Sequence, residues 1–481
     1  MRAERVVPFA RTAGPQAHSA IAGAAPMPFW LDSPVRPEPT PPLTGHEDAD
    51  LLVVGAGFTG LWTAVLAKAA APERDVVLVE GSRVGWAASG RNGGFCAASL
   101  THGFGNGLSR WPEELAKLTR LGQENLQGIA DTVATYDIDC GFELTGELDV
   151  ATEDYQVGEL REAPEVARSY GVDLEYLDRD SVRALADSPL YHAGLFDRAG
   201  AAMVDPARLA WGLRRIALDA GVRLYEGTRA LDLADDGAGV RVATAGADGP
   251  GSVTAAHVAL ATNAFPPLLA RLKHYLVPVY DYVVVTEPID RARWDAIGWG
   301  DRMGIGDDGN QFHYYRRIEE DRILFGGYDA VFHRRGMSPS FDQRPETFAL
   351  LAEHLVETFP QLEGVAMSHT WGGAIDTCAR FSPFMGTARR GRVAYAAGYT
   401  GLGVGASRFG AAVMLDLLAG TTTERTDNEM VRTLPLPFPP GPARWAGVEL
   451  TRWSLDRADR NEGKRNLWLR TLDRVGLGFD S

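Results

Sequence analysis

Cysteine is nearly absent from this chain: Cys96, Cys140 and Cys378 are its only three in 481 residues. They are too few and too widely spaced for a disulfide framework, a zinc site or the close redox pair of a disulfide reductase. A reducing, cytoplasmic setting is the matching expectation. Lysine is almost as scarce, at positions 68, 117, 273 and 464 only. Long apolar runs are missing as well. No segment supplies the roughly 18 uncharged apolar residues that span a bilayer, and residues 1–27 have no continuous apolar stretch ending in a cleavage site. Neither a signal peptide nor membrane contact is expected. The formal charge of -15 argues against nucleic acid as the partner. The ten histidines form no HExxH or similar cluster, so no metal site is expected. No internal repeat is evident.

With 45% apolar and 23% charged residues, the chain has ordinary soluble composition and enough length for two domains with sizeable cores. Its most informative stretch is the apolar strand 50–54 running into Gly55-Ala56-Gly57-Phe58-Thr59-Gly60 and then into a helix-like segment. Gly55 allows the tight turn, Gly57 lets backbone approach a pyrophosphate, and Gly60 lets helix and strand pack closely. The helix N-terminus offers N–H groups to that anion. A second strand, 75–79, ends in Glu80, about 20 residues past the last glycine, where a carboxylate holds ribose hydroxyls. The pattern predicts dinucleotide binding without separating NAD from FAD.

Residues 81–95 narrow the choice. The run Ala88-Ser89-Gly90-Arg91-Asn92-Gly93-Gly94 resembles the second flavin-binding segment of the D-amino-acid oxidase superfamily, most closely its gamma-glutamylputrescine oxidase-like branch. Small residues there admit a flavin, and Ser89, Arg91 and Asn92 can hydrogen-bond its oxygens. Farther on, residues 393–407 lead into an apolar helix. They resemble the family's C-terminal strand, glycine loop and helix, which implies cofactor contacts from Gly398, Thr400, Gly401, Gly403 and Gly405. Residues 258–264 resemble the family's late strand and turn, with Thr262 near the cofactor and Asn263 where glycine is common. The resemblance spans roughly 28–440 and implies FAD. Non-covalent attachment is expected, because Cys378 falls away from the position of a linking cysteine.

The implied fold is α/β, α+β overall: a Rossmann-like FAD-binding domain with a discontinuous antiparallel-sheet substrate domain. Residues 1–44 read as an N-terminal arm, with Met27 as the expected start. Residues 45–105, 195–270 and 365–420 are assigned to the FAD-binding domain, 106–194 and 271–364 to the substrate domain. Residues 421–481 form a Pro-rich linker and helical tail. In that tail Trp445, Val448 and Trp453 share one amphipathic pattern, and Trp468, Leu472 and Val475 another. From 443 to 481 it holds eight Lys or Arg against six Asp or Glu. Docking on the flavin domain is the expected role, with peripheral membrane or protein contact as the alternative.

The candidate substrate residues are Tyr314, Arg316, Tyr328, Trp371 and Arg380, with Tyr282 beside them. Aromatic faces hold cations and arginine pairs with carboxylate in bidentate fashion, so this set suits an amine carrying a distant carboxylate. Asp376 reads equally as a structural cap or a functional acid. His102 and His313 read as packed or surface histidines. The family resemblance implies oxidation of a C–N bond by hydride transfer to flavin N5, followed by imine hydrolysis to a carbonyl compound. The electron acceptor is oxygen or another partner. Phe325 stands near the place of the oxygen-activating lysine of sarcosine oxidase-like relatives, which leaves a dehydrogenase open. An RNA-modifying or redox-inactive flavoprotein is the remaining alternative.

Overall fold

The computed structural model describes residues 8–474, 476 and 477, apart from Ala238 and Arg335; Val475, expected on the tail's apolar face, lies outside them. Two large sheets organise the chain. In the first, Val393–Ala397, Gly249–Leu260, Gly45–Val54, Val76–Val79 and Arg223–Tyr225 run parallel in that order, with Phe384–Ala388 antiparallel at one edge. Residues 51–54 and 76–79 are buried throughout. Strands covered on both faces need continuous apolar sequence rather than alternation. Helices Phe58–Ala70, Pro206–Asp219 and Gly403–Ala419 cover one face. The antiparallel hairpin Thr228–Asp236 and Gly239–Gly246 extends from Gly249–Leu260. The Asp205 carboxylate accepts from Arg208 N–H at 2.9 Å and caps helix Pro206–Asp219, with Pro206 at its first position.

The second, mostly antiparallel sheet has nine strands among the described residues. Val277–Thr286 pairs along one side with Met367–Thr377 and on the other with Arg322–Gly327 and Val331–Phe332. His313–Ile318, Gly304–Asp307, Glu147–Ala151, Ala193–Asp197 and Glu175–Leu177 continue the sheet. Side chains alternate between its faces. Leu148, Val150, Tyr280, Tyr282, Ile305 and Tyr315 enter a core shared with helix Pro345–Thr358. The intervening Glu147, Asp149, Asp281 and Tyr314 face the opposite way, onto a cavity.

Three segments sit differently from the sequence-based division. Strands Ala193–Asp197 and Met367–Thr377, expected wholly or partly with the nucleotide-binding half, hydrogen-bond into the second sheet. Helix Leu115–Thr135, expected with the substrate half, packs on Gly403–Ala419. Long-range pairing decides membership here, and apolar periodicity carries no record of the partner. The arm before Met27 is also packed. Helix Pro15–Ile21 lies on Pro345–Thr358, and Ala25 bridges to His369. No helix among the described residues is long and apolar enough to cross a membrane.

Candidate functional site

A cavity of about 1150 Å³ lies between the sheets. Its nucleotide side begins at helix Phe58–Ala70, whose N-cap Gly57 supplies no side-chain capping bond. First-turn N–H groups of a helix lack intrahelical partners; that of Phe58 is taken by Ser89 Oγ at 2.9 Å. Gly57, Phe58 and Thr59 line the wall, followed by Ser89, Arg91, Asn92 and Gly93. From the distal loop come Thr400, Gly401 and Gly403. Thr59 Oγ1 donates to Tyr399 Oη at 3.0 Å, tying loop to turn.

The remaining expected cofactor residues shape this wall from behind. Gly55 has φ +101°, and a Cβ on Gly60 would stand 1.8 Å from the Gly55 carbonyl oxygen. A Cβ on Gly94 would meet the Val204 carbonyl at 2.2 Å, and one on Gly405 would meet the Ala97 carbonyl at 2.1 Å. Gly398 also has positive φ, and its N–H donates to Asp376 Oδ2 at 2.6 Å. Thr262 lies off the cavity; its carbonyl accepts from Phe265 N–H, while Asn263, with φ +49°, lines the wall. Asn92 braces the loop, accepting from Gly94 N–H and donating to the Ala88 carbonyl. Arg91 donates to Asp342 at 2.6 Å and to the Gly372 carbonyl at 3.0 Å.

Glu80 accepts from Ala56 N–H at 2.8 Å, Ser82 N–H at 2.8 Å and Trp86 Nε1 at 3.0 Å. Burial raises its pKa. These three donors brace the glycine turn, and Glu80 itself is buried behind the cavity wall. A helix start whose N-cap is a glycine, with only Ser89 Oγ reaching its first N–H, and a close-packed glycine turn braced by Glu80 together fit FAD. All three cysteines are buried and none lines the cavity. The Cys378 thiol donates to the Ser382 carbonyl at 3.1 Å, an arrangement that fits non-covalent binding.

On the substrate side Tyr314 and Tyr328 line the cavity. The other three expected substrate residues do not, and this corrects the sequence reading. Arg316 donates to the carbonyls of Gly94 and Val204 at 2.8 and 3.0 Å. Arg380 donates to those of Pro383, Met430 and Thr433. Trp371 Nε1 donates to the Arg91 carbonyl at 2.8 Å. Each is buried and satisfies backbone acceptors that would otherwise be costly. Tyr282 lies in the second core and donates to the Phe341 carbonyl.

Sequence reasoning passed over Asp281. Tyr314 Oη donates to its Oδ2 at 2.5 Å, and burial pushes Asp281 up to about 6. Its signal was a lone acid in the otherwise apolar, aromatic run 279–285. Asp376 is likewise pushed up, to about 7, by burial. His102, in left-handed backbone, bonds the Thr400 carbonyl through Nε2 at 3.0 Å. His313 is wholly interior, between Asp307 at 2.6 Å and His354 at 2.8 Å. Glu147 and Asp149 face the cavity with raised pKa values, from burial and neighbouring carboxylates. None of the four lysines lines the cavity, and Phe325 stacks on Tyr315 in the core. No group of three His, Cys, Asp or Glu among the described residues could hold a metal.

The FAD dependent oxidoreductase (DAO) family matches residues 50–417. The chain is 32% identical over 408 residues to gamma-glutamylputrescine oxidoreductase of Escherichia coli, covering 82% of this chain and 88% of that one. It is 28% identical to the probable oxidoreductase OrdL of Haemophilus influenzae, with the same coverage. Among solved structures, glycine oxidase from Geobacillus kaustophilus superposes with a TM-score of 0.63 at 21% identity, covering 78% of this chain and 96% of that one. The amino acid oxidase NikD has a TM-score of 0.63 at 18% identity, with coverage of 81% and 98%. From the glycine turn through the Gly403–Ala419 helix, therefore, this chain belongs to the DAO family of FAD-dependent oxidoreductases.

Proposed function

We propose that the chain oxidises the C–N bond of a small amine or amino-acid derivative, giving an imine that water hydrolyses to a carbonyl product. FAD, when bound, supplies the acceptor for the hydride removed from the carbon next to nitrogen. The carrying observation is the buried Asp281–Tyr314 pair in a cavity continuous with the dinucleotide turn.

An ammonium ion has no nitrogen lone pair to develop the C=N bond, so the amine must react neutral. Asp281, with a pKa of about 6, is suited to accept that proton, while the Tyr314 hydroxyl orients its carboxylate. Tyr314 is itself wedged: a Cβ on Gly93 or Gly326 would lie within 2.7 Å of its ring or hydroxyl. The N-terminus of helix Gly403–Ala419 borders the cavity without a side-chain cap. Its N–H groups suit negative charge developing on the cofactor. Tyr328 closes part of the wall from the second sheet.

The test is anaerobic mixing of the holoenzyme with polyamines, gamma-glutamyl derivatives, N-methyl amino acids and aminophosphonates. Bleaching of the flavin by at least one amine is expected; no bleaching across the panel sinks the reading. A dehydrogenase passing electrons to a non-oxygen acceptor is the second reading, favoured by the absence of lysine from the cavity wall. Slow recovery of flavin colour in air supports it, and fast recovery overturns it. A cytoplasmic setting is part of the same proposal.

A further inference from the structure

The tail beyond residue 440 lies outside the family match, which ends at 417, yet it forms part of the cavity wall. Helix Gly441–Asp459 brings Val448, Arg452 and Leu455 to the cavity, and Leu467–Arg474 brings Trp468 and Leu472. Trp468 Nε1 donates to Thr451 Oγ1 at 3.0 Å, joining the two helices. Asp459 moors them by accepting from the Asn310 and Gln311 N–H groups at 3.0 and 3.1 Å. Arg452 reaches Asp329 at 3.3 Å. Apart from Arg444, Thr451 and Arg452, this roof presents hydrocarbon and aryl surface.

Three arginines line the cavity, and each is already engaged. Arg91 pairs with Asp342, Arg452 with Asp329 and Glu449, and Arg444 donates to the carbonyls of Pro439 and Lys273. Glu147 and Asp149 also face this space, with no ion pair to either among the described residues. A carboxylate entering here would lose its hydration and would have to displace the carboxylates already held by Arg91 and Arg452, leaving Arg444, held by two carbonyls, as the one lining arginine without a carboxylate partner among the described residues. An apolar body would instead be buried against the tail.

We propose that the preferred substrate is an amine with a hydrocarbon or aryl body and no carboxylate, and that the C-terminal helix pair seats that body and sets selectivity through Leu455 and Trp468. This rests on the amine-oxidation reading above. The first readout is binding, followed by perturbation of the flavin spectrum in the oxidised holoenzyme. 3-Phenylpropan-1-ol is expected to bind at least tenfold tighter than 3-phenylpropanoate, and Trp468→Ala to weaken the alcohol about tenfold while leaving ethanolamine unchanged. The second readout is anaerobic flavin reduction. 3-Phenylpropylamine is expected to exceed both its α-carboxylated analogue and gamma-glutamylputrescine in kcat/KM, and Leu455→Ala to raise KM for the aryl amine alone. Tighter binding of the carboxylate, failure of the alcohol to bind, or equal effects of the variants on large and small ligands overturns the proposal. If ligands bind as expected but no amine reduces the flavin, the amine-oxidation reading fails instead.

Discussion

The Tyr314 hydroxyl donates to Asp281 Oδ2 across 2.5 Å, joining two strands of the second sheet on the face that borders the nucleotide turn. Burial raises Asp281 to about 6 from an ordinary 3.8. Its ionised population therefore rises through pH 6, and the low-pH limb of the flavin-reduction rate should rise with it. Asp281→Asn should abolish that limb and lower the rate roughly a hundredfold, measured by anaerobic stopped flow from pH 5 to 9.

Stability should move the opposite way. A carboxyl whose folded pKa is raised binds more protons folded than unfolded between about 3.8 and 6, so its ionisation destabilises the fold as pH rises through that window. Asp281→Asn should raise Tm at pH 8 and leave it nearly unchanged at pH 3.5, provided the Tyr314 hydroxyl is accepted by the amide oxygen. A lower Tm at pH 8 contradicts this.

Glu80 and Gly60 should act on cofactor retention. Glu80→Ala leaves three donors buried without their acceptor, at a cost of about 1–3 kcal/mol for each. Gly60→Ala places a methyl 1.8 Å from the Gly55 carbonyl oxygen. Both variants should purify with a lower flavin-to-protein absorbance ratio. Gly158→Ala, whose Cβ would meet nothing within 4 Å, serves as the comparison.

Arg316 and Tyr314 should separate structure from substrate contact. Arg316→Met removes donors to the Gly94 and Val204 carbonyls and should lower Tm, with KM for the amine little changed in the folded fraction. Tyr314→Phe should keep Tm within a few degrees and change the reduction rate. The reverse pattern would return Arg316 to the substrate site.

Removing residues 1–26 should destabilise the second domain. Ala10 N–H donates to Glu357 at 3.0 Å, and the Ala10 carbonyl is bonded by His354 Nε2 at 2.7 Å. With His354 Nε2 donating, its Nδ1 accepts from His313. Burial, with His313 close by, holds His354 down to about 3. Because the unfolded chain takes up this proton near 6.5, the contribution is present above that pH and lost as pH falls from 6.5 toward 3. The truncated protein should show a lower Tm at pH 7 and a shallower decline below pH 6.5, read by calorimetry.

The cofactor half was legible because its constraints are local. A glycine is needed wherever a Cβ would strike backbone, as at Gly60, and the turn, helix start and Glu80 follow one another within about 25 residues. The α/β class and the distal Gly398–Gly403 loop were expected from the family resemblance instead. Arg316, Trp371 and Arg380 misled because arginine and tryptophan serve buried carbonyls as readily as ligands, and composition does not say which acceptors lie nearby. Asp281 was visible only as an acid interrupting an apolar run. Its pairing with Tyr314 arises from two strands meeting through an intermediate one, and its raised pKa from the burial that follows. The tail's place in the cavity wall was equally silent, since an amphipathic pattern states that one face is covered without stating by what. Local sterics thus determine the dinucleotide turn in linear order. Only tertiary packing decides which side chains surround the substrate, because desolvation and hydrogen-bond partnership belong to neighbours in space.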